Sequence, residues 1–294
     1  MQESAESVVP VWSGLSLEAL EAQYNPRVAV PEFAAVEACF YDVNNAVGGS
    51  GRNFIDVAYG EHPLHKVDIY SAAAADGTLK PVHIFYHGGF WRAQDKANYA
   101  YVASALRERG ITVVVANYEL CPASTLDGVV ASSLKALEWT IDHIADYGGD
   151  SAKVSISGAS AGAHLCATIL ATDWAARGRP FMALTGASLI SGIFDPEPVR
   201  LISLNQQLLL DRETAARHNV ERRPLHIICP IALFVGGDEP WQWIDQTFRY
   251  SRFLRESTHS HSLHLLPNKN HFSIMSAYID AKSLLMSVIA GPSV

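Results

Sequence analysis

The sequence has few of the residues that mark several classes of protein. Its 294 residues contain four cysteines, Cys39, Cys121, Cys166 and Cys229, which are scattered and stand in apolar surroundings. They predict reduced core thiols of a cytoplasmic protein and argue against a disulfide framework. Lysine and arginine number 22 against 30 acidic residues, and the basic residues are not clustered. A nucleic-acid surface needs such clusters, so we expect no nucleic-acid partner.

Long hydrophobic runs are also missing. No apolar stretch approaches the length of a membrane span, so no membrane partner is expected. Met1–Pro10 carries two glutamates and has no basic segment followed by an apolar one. It therefore predicts no signal peptide. What is plentiful is apolar content, at 49% of the residues, with a net charge of −8 spread along the chain. This length and composition predict one domain over residues 1–294 with a large core.

Short apolar runs alternate with helical patterns along most of the chain. Residues 53–58 and 64–70 alternate as β-strands around Gly60-Glu61-His62-Pro63, a hairpin signal. Later strands are predicted at Val82–Tyr86, Ile111–Ala116, Val154–Ser157, Leu184–Ile190, Ile231–Val235 and Leu263–Leu266. The apolar run at 82–86 is typical of a strand buried on both faces. Helices are predicted at Leu15–Tyr24, Ala97–Arg109, Leu126–Ile144, His164–Thr172, Trp243–Arg255 and Phe272–Ile289. We predict an α/β fold whose central sheet is mainly parallel, starts with antiparallel strands and is covered by helices on both faces.

One segment interrupts the alternation. Residues 194–224 lie between two predicted strands and are long, charged and rich in helix-forming residues. In such a sheet they should lie above the carboxyl ends of the strands as a small helical cap. The alternative is a surface excursion with no part in function.

The motif Gly158-Ala159-Ser160-Ala161-Gly162 joins a predicted strand to a predicted helix. Small residues around Ser160 allow a tight strand–turn–helix bend that holds a serine hydroxyl rigid and accessible, as nucleophilic catalysis requires. A plain Gly/Ser turn is the alternative reading, and the strand and helix on either side favour the nucleophile.

Partners for such a serine are expected after late strands, in the order serine, acid, histidine. Asp238 follows the strand at 231–235 and a glycine pair, and it is the preferred acid, with the adjacent Glu239 as the alternative. The other role for Asp238 is an N-cap of the following helix. His271 follows the last predicted strand and is the expected general base.

Other residues bear on the expected site. His87-Gly88-Gly89-Phe90-Trp91 follows an early strand, so the backbone N–H groups of Gly88 and Gly89, with that of Ala161, are the expected oxyanion donors. Phe90 is a further candidate donor. Histidines 259, 261 and 264 have no partnered carboxylate or cysteine, so no metal is expected. His164 is expected to be a packing residue.

These residues resemble the α/β-hydrolase superfamily. Residues 87–91 are similar to the HGG-aromatic-Trp motif of kynurenine formamidases (arylformamidases) and related esterases. Other segments of the chain agree with that branch: Tyr24-Asn25-Pro26-Arg27, Tyr118-Glu119-Leu120-Cys121-Pro122, residues 160–165, Gly192-Ile193-Phe194-Asp195, Asn205 and Asn270-His271-Phe272. The resemblance implies an α/β-hydrolase fold and a triad of Ser160, Asp238 and His271, with no metal or organic cofactor.

The expected activity is cleavage of small-acyl aryl amides or esters through an acyl-enzyme on Ser160. Phe90, Trp91, Tyr118 and Trp241 are the expected walls of the substrate pocket, because rings beside the oxyanion loop would crowd the acyl group and stack on an aryl leaving group. The alternatives are a general carboxylesterase and a non-catalytic binding protein on the same scaffold. The expected partner is a small amide or ester molecule, and a homodimer is left open.

Overall fold

A mixed sheet of eight strands runs through the computed structural model, which describes residues 11–49, 51–72, 75–180 and 182–290. The prediction that Met1–Pro10 is not a signal peptide concerns residues outside these ranges. The strands are β1 (Arg52–Ala58), β2 (Lys66–Ser71), β3 (Lys80–Tyr86), β4 (Thr112–Ala116), β5 (Gly149–Ala159), β6 (Gly186–Ile190), β7 (Ile231–Gly236) and β8 (His261–Leu266). Their order across the sheet is β1-β2-β4-β3-β5-β6-β7-β8.

β2 is the one strand of this sheet that runs opposite to the others. β2 pairs antiparallel with both β1 and β4, whereas β4, β3, β5, β6, β7 and β8 pair parallel. In the centre, Ile84 lies opposite Val114 on one side and Ile156 on the other. The predicted parallel sheet with antiparallel N-terminal strands is therefore confirmed. Its parallel strands end at one edge, where loops from several strands meet.

The helices cover both faces of the sheet. They are α1 (Leu17–Tyr24), α2 (Pro26–Ala29), α3 (Phe33–Ala38), α4 (Tyr41–Gly48), α5 (Ala103–Glu108), α6 (Leu126–His143), α7 (Ala161–Leu170), α8 (Asn205–Leu208), α9 (Arg212–Arg217), α10 (Trp241–Glu256) and α11 (Leu284–Ala290). Shorter 3₁₀ turns lie at Val11–Gly14, Lys96–Val102, Ile144–Tyr147, Pro198–Leu201, Val220–Arg222 and Ser273–Tyr278.

Two hydrophobic clusters show how alternation along a strand builds the layers. Ile84 and Tyr86 of β3 pack in a cluster with residues of α1, α6, α7 and α10. Phe85, between them, points to the opposite face and packs with residues of α4, α5 and α11. Successive side chains of a strand face opposite sides, so one buried strand supplies both cores.

The predicted helix over residues 272–289 is divided in two. The backbone N–H of Ser283 donates to the carbonyl of Asp280 (2.9 Å), and the N–H of Lys282 donates to the Asp280 side chain (2.9 Å). Aspartate favours such turns because its carboxylate competes for nearby backbone N–H groups. The Ser283 hydroxyl then accepts from the N–H of Met286 (3.1 Å) and begins α11.

The prediction that all four cysteines are core thiols needs one correction. Cys39 is exposed, with its thiol donating to the carbonyl of Ala35 (3.3 Å), whereas Cys121, Cys166 and Cys229 are buried as predicted.

Residues 194–224 contain α8, α9 and two 3₁₀ turns, so the helical content is as expected. No helix within the described ranges is long and apolar enough to cross a membrane.

Candidate active site

Ser160 lies at a sharp bend between β5 and α7. Its backbone has φ 56° and ψ −118°, a conformation that side chains rarely adopt and that costs about 1–3 kcal/mol. The Ser160 N–H donates to the carbonyl of Ile190 on β6 (2.8 Å), which holds the bend against the sheet. A Cβ on Gly162 would lie 1.9 Å from the carbonyl oxygen of Tyr86, so the turn requires glycine there. The strain is thus fixed by the packing around it.

His271 is held just beyond β8 by its neighbours. The Asn270 side chain accepts from the backbone N–H groups of Phe272 (3.1 Å) and Ser273 (2.8 Å), which shapes the loop. The imidazole packs on the Trp243 ring, with centroids 4.2 Å apart. Its Nδ1 donates to Oε2 of Glu239 (2.7 Å), which leaves Nε2 as the nitrogen available to a substrate or nucleophile.

This contact corrects the prediction of Asp238 as the orienting acid. Asp238 is exposed, and its backbone N–H donates to the carbonyl of Lys269 (3.0 Å). Glu239, one residue further, is 6% exposed and turns inward under the histidine. Asp238 is not the N-cap of α10 either, because Pro240 occupies that position. The turn after β7 directs one residue outward and the next inward, and the longer side chain reaches the imidazole.

Glu239 also has two fixed donors that the sequence reasoning missed. Its Oε1 accepts from the backbone N–H of Gly236 (2.7 Å) and from the hydroxyl of Ser191. Ser191 directly follows β6 and has a positive φ of 48°. The sequence feature that could have identified Ser191 as a site residue is its position at the carboxyl end of a buried strand. Charge-assisted bonds of this kind hold a buried carboxylate in one orientation, and so fix the imidazole that it contacts.

The loop after β3 lies next to the serine bend. Gly89 has φ 108°, and a Cβ there would lie 2.3 Å from the carbonyl oxygen of Ala93. Among the described residues, no hydrogen bond uses the backbone N–H of Gly88, Gly89 or Ala161. Unused N–H groups beside a serine are what an oxyanion requires.

Tyr118 supports this loop from behind. Its hydroxyl donates to the carbonyl of His87 (2.7 Å), and its ring stacks on the imidazole of His87 with centroids 4.4 Å apart. Burial lowers the pKa of His87 and raises that of Tyr118, so both are neutral near pH 7. The two rings therefore act as a rigid, uncharged support for the glycines.

A cavity of about 160 Å³ joins these parts. Ser160, His271, Gly88, Gly89 and Phe90 all line it. The remaining wall residues come from the N-terminal helices, from the segment that follows the loop after β3, and from positions next to Ser160 and His271. They are Asn25, Pro26, Arg27, Glu37, Phe40, Tyr41, Arg92, Ala93, Gln94, Asn98, Tyr99, Tyr101, Ala159, Leu204, Phe272 and Met275. Of the segment 194–224, only Leu204 lines this cavity, whereas α2 to α4 contribute Pro26, Arg27, Glu37 and Tyr41.

Of the four predicted pocket residues, only Phe90 lines the cavity. Trp91 is fully buried against His164, with ring centroids 5.0 Å apart, and Tyr118 is buried behind the oxyanion loop. Trp241 is 61% exposed at the start of α10. These three positions correct the prediction. Large aromatic residues near a motif in the sequence can equally face the core, and chain position does not distinguish the two.

The other histidines have structural contacts. His164 is buried, its Nε2 donates to the carbonyl of His218 (2.9 Å), and burial lowers its pKa to about 3, as expected of a packing residue. His261 bonds to Ser251 (2.9 Å) and His264 to Ser262 (2.8 Å).

In the described part of the chain, one group could hold a metal: His62, His65 and Glu119, with ligand atoms within 4.8 Å of one another. His65 Nε2 already contacts Glu119 Oε1 (2.9 Å), and Ser124 donates to the other oxygen (2.6 Å). The group lies at the β1–β2 hairpin and does not line the cavity.

Comparison with known proteins agrees with this architecture. The family model BD-FAE matches residues 67–177. Kynurenine formamidase of Danio rerio is 27% identical over 289 residues, covering 95% of this chain and 97% of that protein. Kynurenine formamidase of Salmo salar is 27% identical over 282 residues, covering 92% and 94%. An esterase structure from Pyrobaculum calidifontis superposes with a TM-score of 0.68 at 17% identity, covering 94% of this chain and 93% of the other.

The sheet order, the strained serine bend and this structural neighbour define an α/β-hydrolase fold. Within that class, the chain resembles the arylformamidase-like esterases, with similarity to the kynurenine formamidases over nearly its full length. The predicted fold class and the predicted resemblance are both confirmed.

Proposed function

We propose that the protein is a serine hydrolase that cleaves small-acyl aryl amides or esters. The observation that carries the proposal is a shared cavity. Ser160 and His271 both line it, and the buried carboxylate of Glu239 holds Nδ1 of the histidine at 2.7 Å. A nucleophile, a base and a group that orients the base are the parts that acyl transfer needs.

In the proposed mechanism, His271 Nε2 takes the proton of the Ser160 hydroxyl as the oxygen attacks the acyl carbon. The negative charge that develops on the acyl oxygen is stabilised by the N–H groups of Gly88, Gly89 and Ala161. The resulting imidazolium is stabilised by Glu239 and then protonates the leaving amine or alcohol. A water molecule, deprotonated by the same nitrogen, releases the acid and restores the serine.

Preference for a small acyl group is argued from the crowding around the oxyanion loop. The Phe90 ring packs edge-on against Trp243, with centroids 6.1 Å apart, and Trp243 in turn packs on His271. These contacts fix a bulky wall beside the proposed oxyanion donors. Closely packed rings cannot move aside for a long chain without losing their own contacts.

A series of p-nitrophenyl esters with two to eight acyl carbons tests this preference. We expect kcat/KM to fall steadily beyond four carbons, because each added methylene meets the Phe90 wall. The matched control is Phe90→Ala, which should move the optimum to longer chains. Faster turnover of the octanoate than of the acetate by the wild type would contradict the proposal.

The second candidate, a general carboxylesterase, is favoured by the esterase among the structural neighbours. Formanilide and phenyl acetate separate the two, because amide cleavage needs leaving-group protonation that an activated ester does not. Turnover of formanilide supports the arylformamidase-like activity, and turnover of the ester alone supports the second candidate. A non-catalytic binding protein would fail to react with a fluorophosphonate at Ser160.

A further inference from the structure

Two arginines line the cavity next to the catalytic groups. Arg27 comes from α2, and Arg92 follows the oxyanion loop after Trp91. Among the described residues of the cavity wall, these are the two permanently charged cations, and Glu37 is the one carboxylate. The wall therefore has a net positive charge in a protein whose net charge is −8.

Neither arginine is neutralised by a carboxylate within the described part of the chain. The Arg92 Nη1 donates to Gln207 Oε1 (2.7 Å), and its Nε is buried with no hydrogen-bond acceptor. The Arg27 guanidinium lies over the Phe33 ring, 4.7 Å from its centroid. Other arginines of the protein do pair with acidic side chains: Arg177, Arg179, Arg200, Arg217 and Arg249.

Arg27 is exposed and Arg92 is half-buried, and both line the same cavity. Burial and the positive charge of Arg27 both lower the pKa of Arg92. Holding two like charges together in a partly buried cavity is unfavourable unless an anion binds between them. An arginine also presents planar N–H donors that match the oxygens of a carboxylate or phosphate.

Glu37 does not supply this anion. Its Oε1 accepts from Gln94 Nε2 (3.2 Å), and no ion pair joins it to either arginine in the described chain. The arginine wall is therefore open to a charge brought by a ligand.

We propose that Arg27 and Arg92 form an anion-binding subsite for a negatively charged substituent, carboxylate or phosphate, on the substrate that Ser160 attacks. This rests on the proposed hydrolase function. The subsite would position the substrate by its charged end while the acyl carbon lies at the serine. Acidic amides or esters are then the preferred substrate class.

Three acetate esters test the subsite: 4-acetoxybenzoate, its methyl ester and 4-acetoxyphenyl phosphate. We expect the ratio of kcat/KM for the acid to that for the methyl ester to fall about tenfold in Arg27→Gln and in Arg92→Gln, as for loss of a charge-assisted bond. The intrinsic reactivity of the two esters cancels, because the same pair is used for every variant. The phosphate arm shows which anion is preferred.

Arg212→Gln is the matched control, because Arg212 is exposed on α9, away from the cavity wall, and its loss removes the same charge. It should keep the wild-type ratio. If the wild type cleaves the methyl ester but the ratio is the same in all variants, the subsite is overturned and the hydrolase function stands. If the wild type cleaves none of the three esters, the proposed function and the subsite are both overturned.

Discussion

Two sets of serine and histidine residues, one in the middle of the sheet and one at its carboxyl edge, have different surroundings. In the middle of the sheet, His83 of β3 contacts the hydroxyls of Ser155 (2.8 Å) and Ser157 (2.6 Å) on β5. At the carboxyl edge of the sheet, Ser160 and His271 come from separate loops and line one cavity. The central residues are in direct contact with one another, whereas Ser160 and His271 line the cavity of the candidate site.

Access and charge explain this contrast. His83 and Ser157 are fully buried, and the Tyr278 hydroxyl also donates to Ser157 (2.6 Å). Burial lowers the pKa of His83 to about 3, so its imidazole cannot accept a proton near pH 7. His271 instead has a carboxylate on Nδ1. A close Ser–His contact is therefore a poor indicator of catalysis unless the base can be charged and the hydroxyl reached.

The largest expected effect separates the two serines directly. Ser160→Ala should reduce kcat by about 10⁵–10⁶-fold, as for other serine hydrolases that lose the nucleophile. Ser157→Ala should keep near wild-type turnover, because it removes only buried hydrogen bonds, to His83 and Tyr278, away from the cavity of the candidate site. Hydrolysis of p-nitrophenyl acetate and labelling by a fluorophosphonate are the measurements, with circular dichroism to verify folding. Substantial activity of Ser160→Ala would assign the nucleophile elsewhere.

A smaller effect is expected from the group that orients the edge histidine. Glu239→Gln should lower kcat by about 10³-fold, because a neutral amide neither fixes the reactive tautomer nor stabilises the imidazolium. Asp238→Asn removes the adjacent, exposed carboxylate and is the matched control, with activity close to that of the wild type. The reverse order of the two variants in steady-state kinetics would restore Asp238 as the acid.

The smallest effect concerns stability at the central histidine. The folded-state pKa of His83, about 3, lies below the ordinary histidine value of 6.5, so the unfolded state binds more protons between these two values. The stability gained from burying neutral His83 is present above pH 6.5 and is lost as the pH falls toward 3. Between pH 7 and pH 5, the free energy of unfolding should fall in the wild type and fall less in His83→Gln. The difference between the two falls should be about 1–2 kcal/mol.

Urea unfolding at the two pH values measures this difference, with His226→Gln as the control at an exposed histidine. The control should respond to pH as the wild type does. Parallel behaviour of His83→Gln and the wild type would show that His83 is not buried neutral in the folded protein, and the contrast between the two Ser–His pairs would weaken.

The strands and the order of the site segments were predictable because each rests on a local pattern. Buried runs such as Ile231–Val235 are more hydrophobic than the residues on either side, so their ends are clear in the sequence. The choice between Asp238 and Glu239 was not predictable, since it depends on which residue the turn directs inward. The helices α2 to α4 were missed because four to eight residues give no clear helical period.

Part of the cavity wall comes from a different part of the chain than the proposed reacting groups. Residues of α2 to α4 line the cavity, whereas Ser160 lies mid-chain and Glu239 and His271 lie near the end. Changes in the first helices can therefore alter which molecules are admitted without disturbing the bond-breaking step. Such a division lets selectivity and reactivity diverge independently among descendants of one ancestral scaffold.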